Sequence, residues 1–283
     1  TTLFRSDRRT RSNKYTAYIG ADNREIGESM GEYLAGALPK GGRVVELCGL
    51  SSSSPAIERA EGFDSVVAVR PSIDIVAKLH ADWTEQGGFR AMDSLLRSPH
   101  PDFDCLFAHN DRMAMGARRA AQEHGLDLQR IRFCGIDAMP QKGAGLELVK
   151  DGTLFASYIY PTRGDEVMRL AMNILEKKPY PRETVMNTAV VDRTNAHVMQ
   201  LQTTHISELD QKIETLNGRI GGYLSRVATQ QVVMYGGLVI LLLVAGLLLV
   251  VYKSLRAKNR LNKELSEQKK QLEEQRDKLE EQR

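Results

Sequence analysis

The sequence lacks most of the motifs on which enzymes and nucleic-acid-binding proteins depend. It has no P-loop and no G-x-S-x-G motif, and its six histidines form no cluster with metal-ligand spacing. The formal net charge is only +3, and basic residues are scattered among acidic ones rather than gathered into a stripe. We therefore predict no catalytic residue, no cofactor, no metal site and no nucleic-acid partner.

Cysteine is scarce as well. Cys48, Cys105 and Cys134 each lie in a short apolar run typical of a strand, and no C-x-x-C spacing occurs. This spacing excludes the dense disulfide framework of small secreted domains, although one disulfide pair stays possible in a domain outside the cytoplasm. We predict three buried thiols.

Charged residues are missing from one long stretch near the C-terminal end. No residue between Val227 and Tyr252 is charged, and from Val232 onward almost all are Val, Leu, Ile, Met, Ala or Gly. A bilayer core about 30 Å thick requires about 20 such residues in a helix. A buried helix of a soluble protein would keep a polar face, so we predict one transmembrane helix over residues 232–252.

The two flanks of this span differ in charge. Only Arg219 and Arg226 stand close to its N-terminal side. By the positive-inside rule, the C-terminal end is predicted to be cytoplasmic and everything before the span periplasmic, in a single-pass protein of the inner membrane. The basic residues on the C-terminal side are Lys253, Arg256, Lys258, Arg260 and Lys263.

Amphipathic patterns on both sides of the span predict further helices. Residues 193–231 repeat apolar side chains at threes and fours, which indicates a membrane-proximal helix. Residues 253–283 place leucines seven apart, which favours a parallel coiled-coil homodimer. Glutamines at the companion positions weaken this seam, so a lone solvated helix is the alternative. The leucines are Leu265, Leu272 and Leu279, and the glutamines are Gln268 and Gln275.

Short apolar runs alternate with amphipathic segments between Lys14 and Asp192. This alternation predicts a mostly parallel β-sheet covered by helices on both faces. Ligands of such sheets bind at the carboxyl ends of the strands. The predicted strands are YTAYIG, RVVELCG, IDIVAKL, DCLFAHN, IRFCGID, LFASYIY and TVMNTAVV.

Polar residues follow several of these strands. Asn110 and Asp137 come directly after strands, and Arg59 lies in the segment after RVVELCG. Their amide, carboxylate and guanidinium groups can hold several hydroxyls of one small polar molecule. Asp111 and Asp22 also stand between a strand and a helix, where an aspartate is more commonly an N-cap.

The single tryptophan, Trp83, follows the strand IDIVAKL and precedes a helix. A flat ring in this position can stack on the apolar face of a sugar. Ordinary packing in a core or an interface is an equally good explanation.

Five motifs occur in order along the chain: IGADN (19–23), SSPAIERAEGF (53–63), ADW (81–83), FAHNDRMAMGA (107–117) and CGIDAMP (134–140). From about Asp7 to Asp192 they resemble type I periplasmic binding proteins of the ribose and LacI-like group. With the membrane helix and coiled coil appended, the chain resembles the sensor region of a Bacteroides-type hybrid two-component histidine kinase.

This resemblance implies an α/β fold of doubly wound parallel sheets in two lobes, and a monosaccharide ligand, a pentose or hexose such as fructose or ribose. The family's sugar ligands are an Asp-Arg pair before the ADN motif, an arginine in the ERAEGF run, a stacking aromatic residue, and an Asn and an Asp at strand ends. The matching residues here are Asp7, Arg8, Arg59, Trp83, Asn110 and Asp137.

Two departures from the family stand out. The family's glutamine before the proline that follows the late strand is absent, because Tyr160 precedes Pro161, so the ligand can differ from ribose. TTLFRS stands where an apolar strand should lead into Asp7, without an initiating methionine or an apolar leader. We expect most of the first lobe to be missing upstream, and weak or no binding by this fragment, because a cleft needs two walls.

The predicted order is a sugar-binding domain with an incomplete first lobe over 1–192, a membrane-proximal helix, the span and a cytoplasmic coiled-coil linker. We predict the sugar-sensing and signal-transmitting part of a sensor histidine kinase, in which lobe closure is relayed through the membrane to a kinase after Arg283. The alternative is a membrane-tethered binding protein for a sugar transporter, which would need no cytoplasmic coiled coil.

Overall fold

The structure is a computed structural model that describes residues 4–9, 14–99, 102–161 and 163–281. It separates into residues 1–207, here called the α/β unit, and residues 208–283, here called the helical unit. The strands in chain order are β1 (Phe4–Ser6), β2 (Ala17–Ala21), β3 (Gly42–Cys48), β4 (Ile73–His80), β5 (Cys105–Ala108), β6 (Arg132–Cys134), β7 (Ala156–Ile159), β8 (Glu183–Met186) and β9 (Ala189–Asp192). The helices are α1 (Asn23–Ala37), α2 (Ser54–Val67), α3 (Glu85–Leu96), α4 (Asp111–Glu123), α5 (Gly145–Lys150), α6 (Gly164–Leu175) and α7 (Ala196–Glu281).

The larger sheet of the α/β unit has six strands in the order β4-β3-β5-β6-β7-β9. The first five are parallel, and β9 runs antiparallel to β7. Neighbouring residues of β3 face opposite cores: Val44 packs in a cluster with Phe63 of α2, and Val45 packs in another with Met92 of α3 and Met113 of α4. Because alternate side chains fill two cores, the prediction of a parallel sheet covered on both faces is confirmed.

The smaller sheet has three parallel strands in the order β1-β2-β8. Ile19 of β2 packs with Met186 of β8 and Leu170 of α6 in a separate, smaller core. The α/β unit therefore contains two sheets, and the chain passes between them three times: between β2 and β3, between β7 and β8, and between β8 and β9.

Two details of the predicted strands are wrong. The run TVMNTAVV is not one strand but two, because Asn187 and Thr188 interrupt the pairing and β8 and β9 join different sheets. The segment before Asp7 was expected to lack its strand, yet Phe4–Ser6 forms β1 and pairs with β2. A run of three residues with a central arginine is too short and too polar to give a periodic signal.

The three cysteines are free and buried, as predicted. Cys105 and Cys134 lie on the neighbouring strands β5 and β6, and Cys48 ends β3. Their apolar surroundings explain their burial. Burial raises the pKa of the Cys48 thiol, and the hydrogen bond with Cys134, together with burial, raises the pKa of the Cys105 thiol.

One continuous helix, α7, runs from Ala196 to Glu281 and thus through the predicted span and most of the two predicted segments that flank it; residues 282–283 lie outside the described residues. Among the described residues it is the one helix long and apolar enough to cross a membrane, with a mean hydropathy of 2.7 over its most apolar window. Gln275 and Leu279 of the predicted heptad seam lie outside the residues whose side chains the structure describes.

Candidate ligand-binding cleft

A cavity of about 460 Å³ lies between the two sheets of the α/β unit. All six residues predicted to bind a ligand line it, although they come from distant parts of the chain. They converge because the carboxyl ends of parallel strands meet at one edge of a sheet. The predicted residues are Asp7, Arg8, Arg59, Trp83, Asn110 and Asp137, and the other lining residues are Ser6, Gly20, Ser53, Pro55, Tyr160, Pro161 and Met186.

Arg59, on α2, is held rigidly at the base of this cavity. Its side chain is almost fully buried, its Nε donates to Oδ1 of Asn23 at 2.9 Å, and its Nη1 donates to the backbone carbonyl of His109. Burial lowers the pKa of Arg59, whereas the nearby Asp137 and Asp7 raise it. A buried guanidinium whose remaining N–H groups face a cavity is prepared to donate to oxygen atoms of a ligand.

Two aromatic rings border this guanidinium. Its central carbon lies 5.7 Å from the centre of the Trp83 ring and 5.1 Å from that of Tyr160. The Trp83 ring lies against Gly49, where an added Cβ would stand 2.2 Å from it. Trp83 Nε1 is buried and has no hydrogen-bond partner within the described part of the chain. The ring is thus fixed on one side and lines the cavity on the other.

Asn110 connects two of the site's elements. Its Oδ1 accepts from the backbone N–H of Met113 at 2.9 Å, which makes it the N-cap of α4, and its Nδ2 donates to the backbone oxygen of Trp83 at 3.0 Å. The N-cap prediction holds for Asp22 on α1 but is wrong for Asp111. Asn110 takes the cap position one residue earlier, so Asp111 becomes the first residue of the helix.

Asp111 lies under the cleft rather than in it. Its Oδ1 accepts from Ser157 Oγ at 2.6 Å, and its Oδ2 accepts from the backbone N–H of Ala138 at 2.8 Å. Burial raises its pKa to about 8, which the Ser157 hydrogen bond only partly offsets. The carboxyl group thereby braces the turn that carries Asp137.

Asp137 and Asp7 face the cavity from the two sheets. Burial raises the pKa of Asp137 to about 6, Arg59 opposes this rise and Asp7 adds to it. Asp7 accepts a short hydrogen bond from the Tyr160 hydroxyl. Two carboxylates near one guanidinium provide acceptors on both walls for the hydroxyls of a small ligand.

Three of the six predicted residues have left-handed backbone conformations. The φ angles are +68° at Asp7, +68° at Trp83 and +121° at Asp137. Such angles are costly for residues other than glycine and persist where the surrounding structure enforces them, commonly at functional sites. Among the described residues, the other non-glycine positions with positive φ are Ala138, Arg163 and Lys177, so half of these strained positions are predicted ligand residues.

Tyr160 was not predicted as a site residue. It lines the cavity, donates to Asp7 and contacts Arg59 through its ring. The only signal was its position immediately before Pro161, where the family has a glutamine. The sequence shows that departure, but the role of Tyr160 depends on the fold, which places its hydroxyl beside Asp7.

A chain of polar contacts, buried at His109 and Glu46 and partly exposed at Lys78 and Asp64, leads from Arg59 through the strands beside it. The ring of His109 is fully buried, burial lowers its pKa, and its Nε2 lies 3.0 Å from Oε1 of Glu46. Lys78 Nζ lies 2.8 Å from Oε2 of Glu46 and 2.7 Å from Oδ1 of Asp64. Asp64 belongs to α2, as does Arg59. These contacts form a closed circuit that fixes the carbonyl to which Arg59 donates.

Glu46 and His109 also form, with Cys48, a group of potential metal ligands whose donor atoms lie within 4.8 Å of one another. The Glu46 carboxylate is already paired with the Lys78 ammonium. A cation at this point would meet that positive charge, so we assign no metal to the group.

The fold and the cleft define the class of protein: a two-sheet α/β binding protein of the type I periplasmic kind, with its site at the carboxyl ends of parallel strands. A family model described as a periplasmic binding protein domain matches residues 2–179, and the chain belongs to this family.

Several known proteins are similar to the chain. The fructose-binding periplasmic domain of the hybrid two-component system BT1754 is 59% identical with a TM-score of 0.73, over 77% of this chain and 72% of that one. A Mycobacterium smegmatis protein in complex with β-D-fucofuranose is 28% identical with a TM-score of 0.66, over 72% and 68% of the two chains. The ribose import binding protein RbsB of Escherichia coli K12 is 36% identical over 151 residues, 53% of this chain and 49% of that protein.

The chain thus spans about half the length of the curated relatives it matches. The predicted resemblance to ribose-type periplasmic binding proteins and to the sensor region of a hybrid two-component system is confirmed.

Proposed function

We propose that the chain is the sugar-sensing and signal-transmitting part of a membrane sensor histidine kinase. The observation that carries this proposal is the convergence of six predicted ligand residues on one cavity between two sheets. The similarity to a periplasmic domain of a hybrid two-component system supports the sensor role over other uses of the same fold.

The proposed ligand is a monosaccharide, with fructose as the first candidate and ribose as the second. A cavity of about 460 Å³ is within the usual range for a small-molecule site, and its lining combines charged hydrogen-bonding groups with an indole ring. Arg59 donates to ring or hydroxyl oxygens, while Asp137 and Asp7 accept from hydroxyls. Trp83 stacks on the C–H face of the sugar, and Asn110 and Arg8 complete the hydrogen bonds.

The long helix supplies the proposed route across the membrane. Residues 232–252 form the span, with the α/β unit in the periplasm and residues 253–283 in the cytoplasm. Orientation is tested with Ser225→Cys and Ser254→Cys in intact cells, because the native thiols are buried and a membrane-impermeant maleimide should ignore them. We expect labelling at residue 225 alone. Labelling at residue 254 alone would show that the orientation is the opposite of the proposed one.

The helix segments on both sides of the span are the proposed dimer contacts. The apolar side chains of Leu209, Ile213, Leu216 and Ile220 recur on the membrane-proximal helix and are about half exposed in the single chain. A second copy would cover them by parallel helix pairing. Sugar would favour a closed arrangement of the two sheets through its differential affinity for it, and closure would alter the pairing of the helices.

A second candidate is a tethered binding protein for a sugar importer, because the curated relatives are import binding proteins. An importer subunit has no use for a helix of some thirty residues beyond the span, whereas α7 continues to Glu281. Sugar-dependent phosphorylation of a downstream histidine favours the sensor, and sugar uptake that depends on this chain favours the importer.

Calorimetric titration of the full chain in lipid nanodiscs tests the site. The incomplete first lobe alone predicts weak or no binding, but residues beside both sheets line the cavity, so we expect saturable binding of fructose or ribose. The affinity should fall roughly 10- to 100-fold in Asp137→Ala and in Arg59→Lys, since each removes or misplaces a charge-assisted hydrogen bond. Asp102→Ala is the matched control, because Asp102 is an exposed aspartate paired with Arg43 outside the cavity. Unchanged affinity in both site variants would overturn the assignment.

A further inference from the structure

A second cavity, of about 760 Å³, lies at the opposite edge of the six-stranded sheet from the cleft. Arg132 is the first residue of β6, residues 151–155 lead into β7, and Arg193 directly follows β9. Arg118 of α4 completes one wall. The fold thus gathers arginines that are far apart in a sequence whose basic residues are scattered.

The charge of this cavity is poorly balanced. Asp151 is its one lining carboxylate among the described residues, and its Oδ1 already accepts from the backbone N–H of Thr153 at 2.8 Å. No ion pair of Arg118, Arg132 or Arg193 occurs in the described part of the chain. By contrast, Arg119, the neighbour of Arg118 on α4, pairs with Glu85 at 2.9 Å.

A fourth arginine contributes less. Arg130 lines this cavity but also a neighbouring depression that contains Asp102, Asp104 and Asp127, so its charge is shared with those carboxylates. Arg132 is better placed, because its guanidinium lies over the Phe155 ring at 5.1 Å, which restricts its motion. The positive character of the cavity rests on Arg118, Arg132 and Arg193.

We propose that this arginine cavity binds a multivalent oxyanion, a phosphate or sulfate group, either as the free ion or as a monoester on a small molecule. A concave surface with one sign of charge focuses the local field and concentrates counter-ions. Guanidinium groups match the oxygens of phosphate and sulfate in paired hydrogen bonds, and several of them around one concavity neutralise more than one negative charge. The proposal does not depend on the sugar site.

The position of the cavity gives the anion a structural consequence. Arg193 lies just before α7, whose first residue, Ala196, is buried, and Lys150 Nζ bonds Gln200 Oε1 on the first turns of α7 at 2.8 Å. An anion held by Arg118, Arg132 and Arg193 ties the start of α7 to α4 and β6. Binding at this cavity is therefore expected to stabilise the packing of the first turns of α7 within the α/β unit.

The test is a titration of the full chain in nanodiscs of neutral lipid with sodium phosphate and sodium sulfate, at an ionic strength kept constant with sodium chloride. We expect saturable heat for at least one anion and a rise in the melting temperature that chloride does not produce. Arg118→Gln and Arg193→Gln should each weaken the affinity by about tenfold. Arg119→Gln, the matched control on the same helix, should leave it unchanged, and Asp151→Asn should strengthen it.

A second arm distinguishes the free ion from a monoester by titrating a sugar phosphate. Tighter binding of the monoester than of inorganic phosphate, lost in Arg118→Gln, assigns the organic ligand; the reverse order assigns the free ion. Absence of saturable binding for every anion, or an equal loss in Arg119→Gln, overturns the proposal. Fructose should bind to the anion-saturated protein with the same affinity as to the anion-free protein. If fructose does not bind while the anion does, the proposed sugar site is wrong and the anion site stands.

Discussion

The α/β unit and the long helix depart from the usual distribution of side chains in opposite ways. In the α/β unit, charged and polar groups such as Glu46, Arg59 and His109 are buried and mostly paired. Along α7, every residue from Leu238 to Leu243 is apolar and more than half exposed. Burying charge costs free energy unless it is paired, and exposing apolar surface to water costs free energy in proportion to its area.

The difference shows which environment each region is built for. Glu46 and His109 are buried in contact with each other, Glu46 also pairs with Lys78, and the buried Arg59 lines the cavity. Exposed leucines are stable in α7 if its surroundings are hydrocarbon rather than water. The same comparison of polar and apolar burial thus supports the proposed ligand site in one part and the proposed membrane span in the other.

The largest effect is expected from placing charged side chains in the apolar stretch of α7. Leu241→Arg combined with Leu248→Arg places two charges inside the span, at a cost of about 5 to 7 kcal/mol for membrane insertion. We expect the chain to leave the alkali-resistant membrane fraction, as measured by carbonate extraction. Gln202→Arg combined with Gln211→Arg, in the same helix before the span, should stay in the membrane. Retention of the leucine variant would contradict the assignment of the span.

The next largest effect is expected from a substitution in the polar circuit around Glu46. Glu46→Gln removes the charge that holds Lys78 and His109, and should lower the free energy of unfolding by about 2 kcal/mol. Because the circuit fixes the carbonyl to which Arg59 donates, sugar affinity should also fall by roughly 3- to 10-fold, in the range of one perturbed hydrogen bond. The free energy of unfolding is measured by denaturant unfolding and the sugar affinity by calorimetry, both well below the melting temperature.

Arg43→Gln is the control for this circuit, because Arg43 lies on the same strand and pairs with Asp102 and Asp104 away from the cleft. It should leave affinity unchanged. If Glu46→Gln lowered stability but not affinity, the circuit would support the fold alone.

A smaller effect concerns Asp111, whose buried carboxyl has its pKa raised to about 8. A raised pKa means that the folded state holds the proton more tightly, so this contribution to stability is complete below the ordinary value and is lost as the pH rises through about 8. Between pH 7 and 9 the loss should be about 1.4 kcal/mol. In Asp111→Asn the amide oxygen still accepts from the Ala138 N–H, and the amide nitrogen donates to Ser157 Oγ, which reverses the direction of that hydrogen bond. This variant should lack the pH dependence in thermal melts. Identical pH profiles would refute the shift.

The smallest effect is a pH dependence of sugar binding. The pKa of Asp137 is raised to about 6, so lowering the pH from 7.5 to 5.5 protonates the carboxylate that accepts from the sugar. We expect affinity to fall by roughly three- to fivefold over this interval. Asp137→Asn should bind more weakly at pH 7.5 and show no such dependence. A wild-type affinity that is constant with pH would show that the Asp137 carboxylate accepts no hydrogen bond from the sugar.

Much of the fold was predictable because its main strands and helices give clear apolar patterns in the sequence. Parallel strands buried on both faces give continuous apolar runs, and the span gives a longer one. Short elements were not predictable: β1 has three residues, and the break between β8 and β9 consists of two polar residues inside an apolar run. Which sheet each of those strands joins is decided by tertiary packing, with Met186 in one core and Val191 in another.

The candidate site was predictable where residue type and strand-end position coincide. Asn110 and Asp137 satisfy both conditions, and resemblance to the family added Asp7 and Arg8. Tyr160 and the circuit around Glu46 were not predictable, because their roles depend on which strands become neighbours. The arginine cavity was hidden for the same reason, since no local window brings Arg118 and Arg193 together.

Fluorescence of Trp83 is the most direct test of ligand binding in the cleft. It is the only tryptophan of the chain and lines the cavity, so its emission reports from the site itself. Titrating fructose or ribose into the full chain should change its emission saturably, with the dissociation constant found by calorimetry, and Asp137→Ala should shift that curve to higher sugar concentration. Heat of sugar binding with no change in Trp83 emission would contradict a site in this cleft.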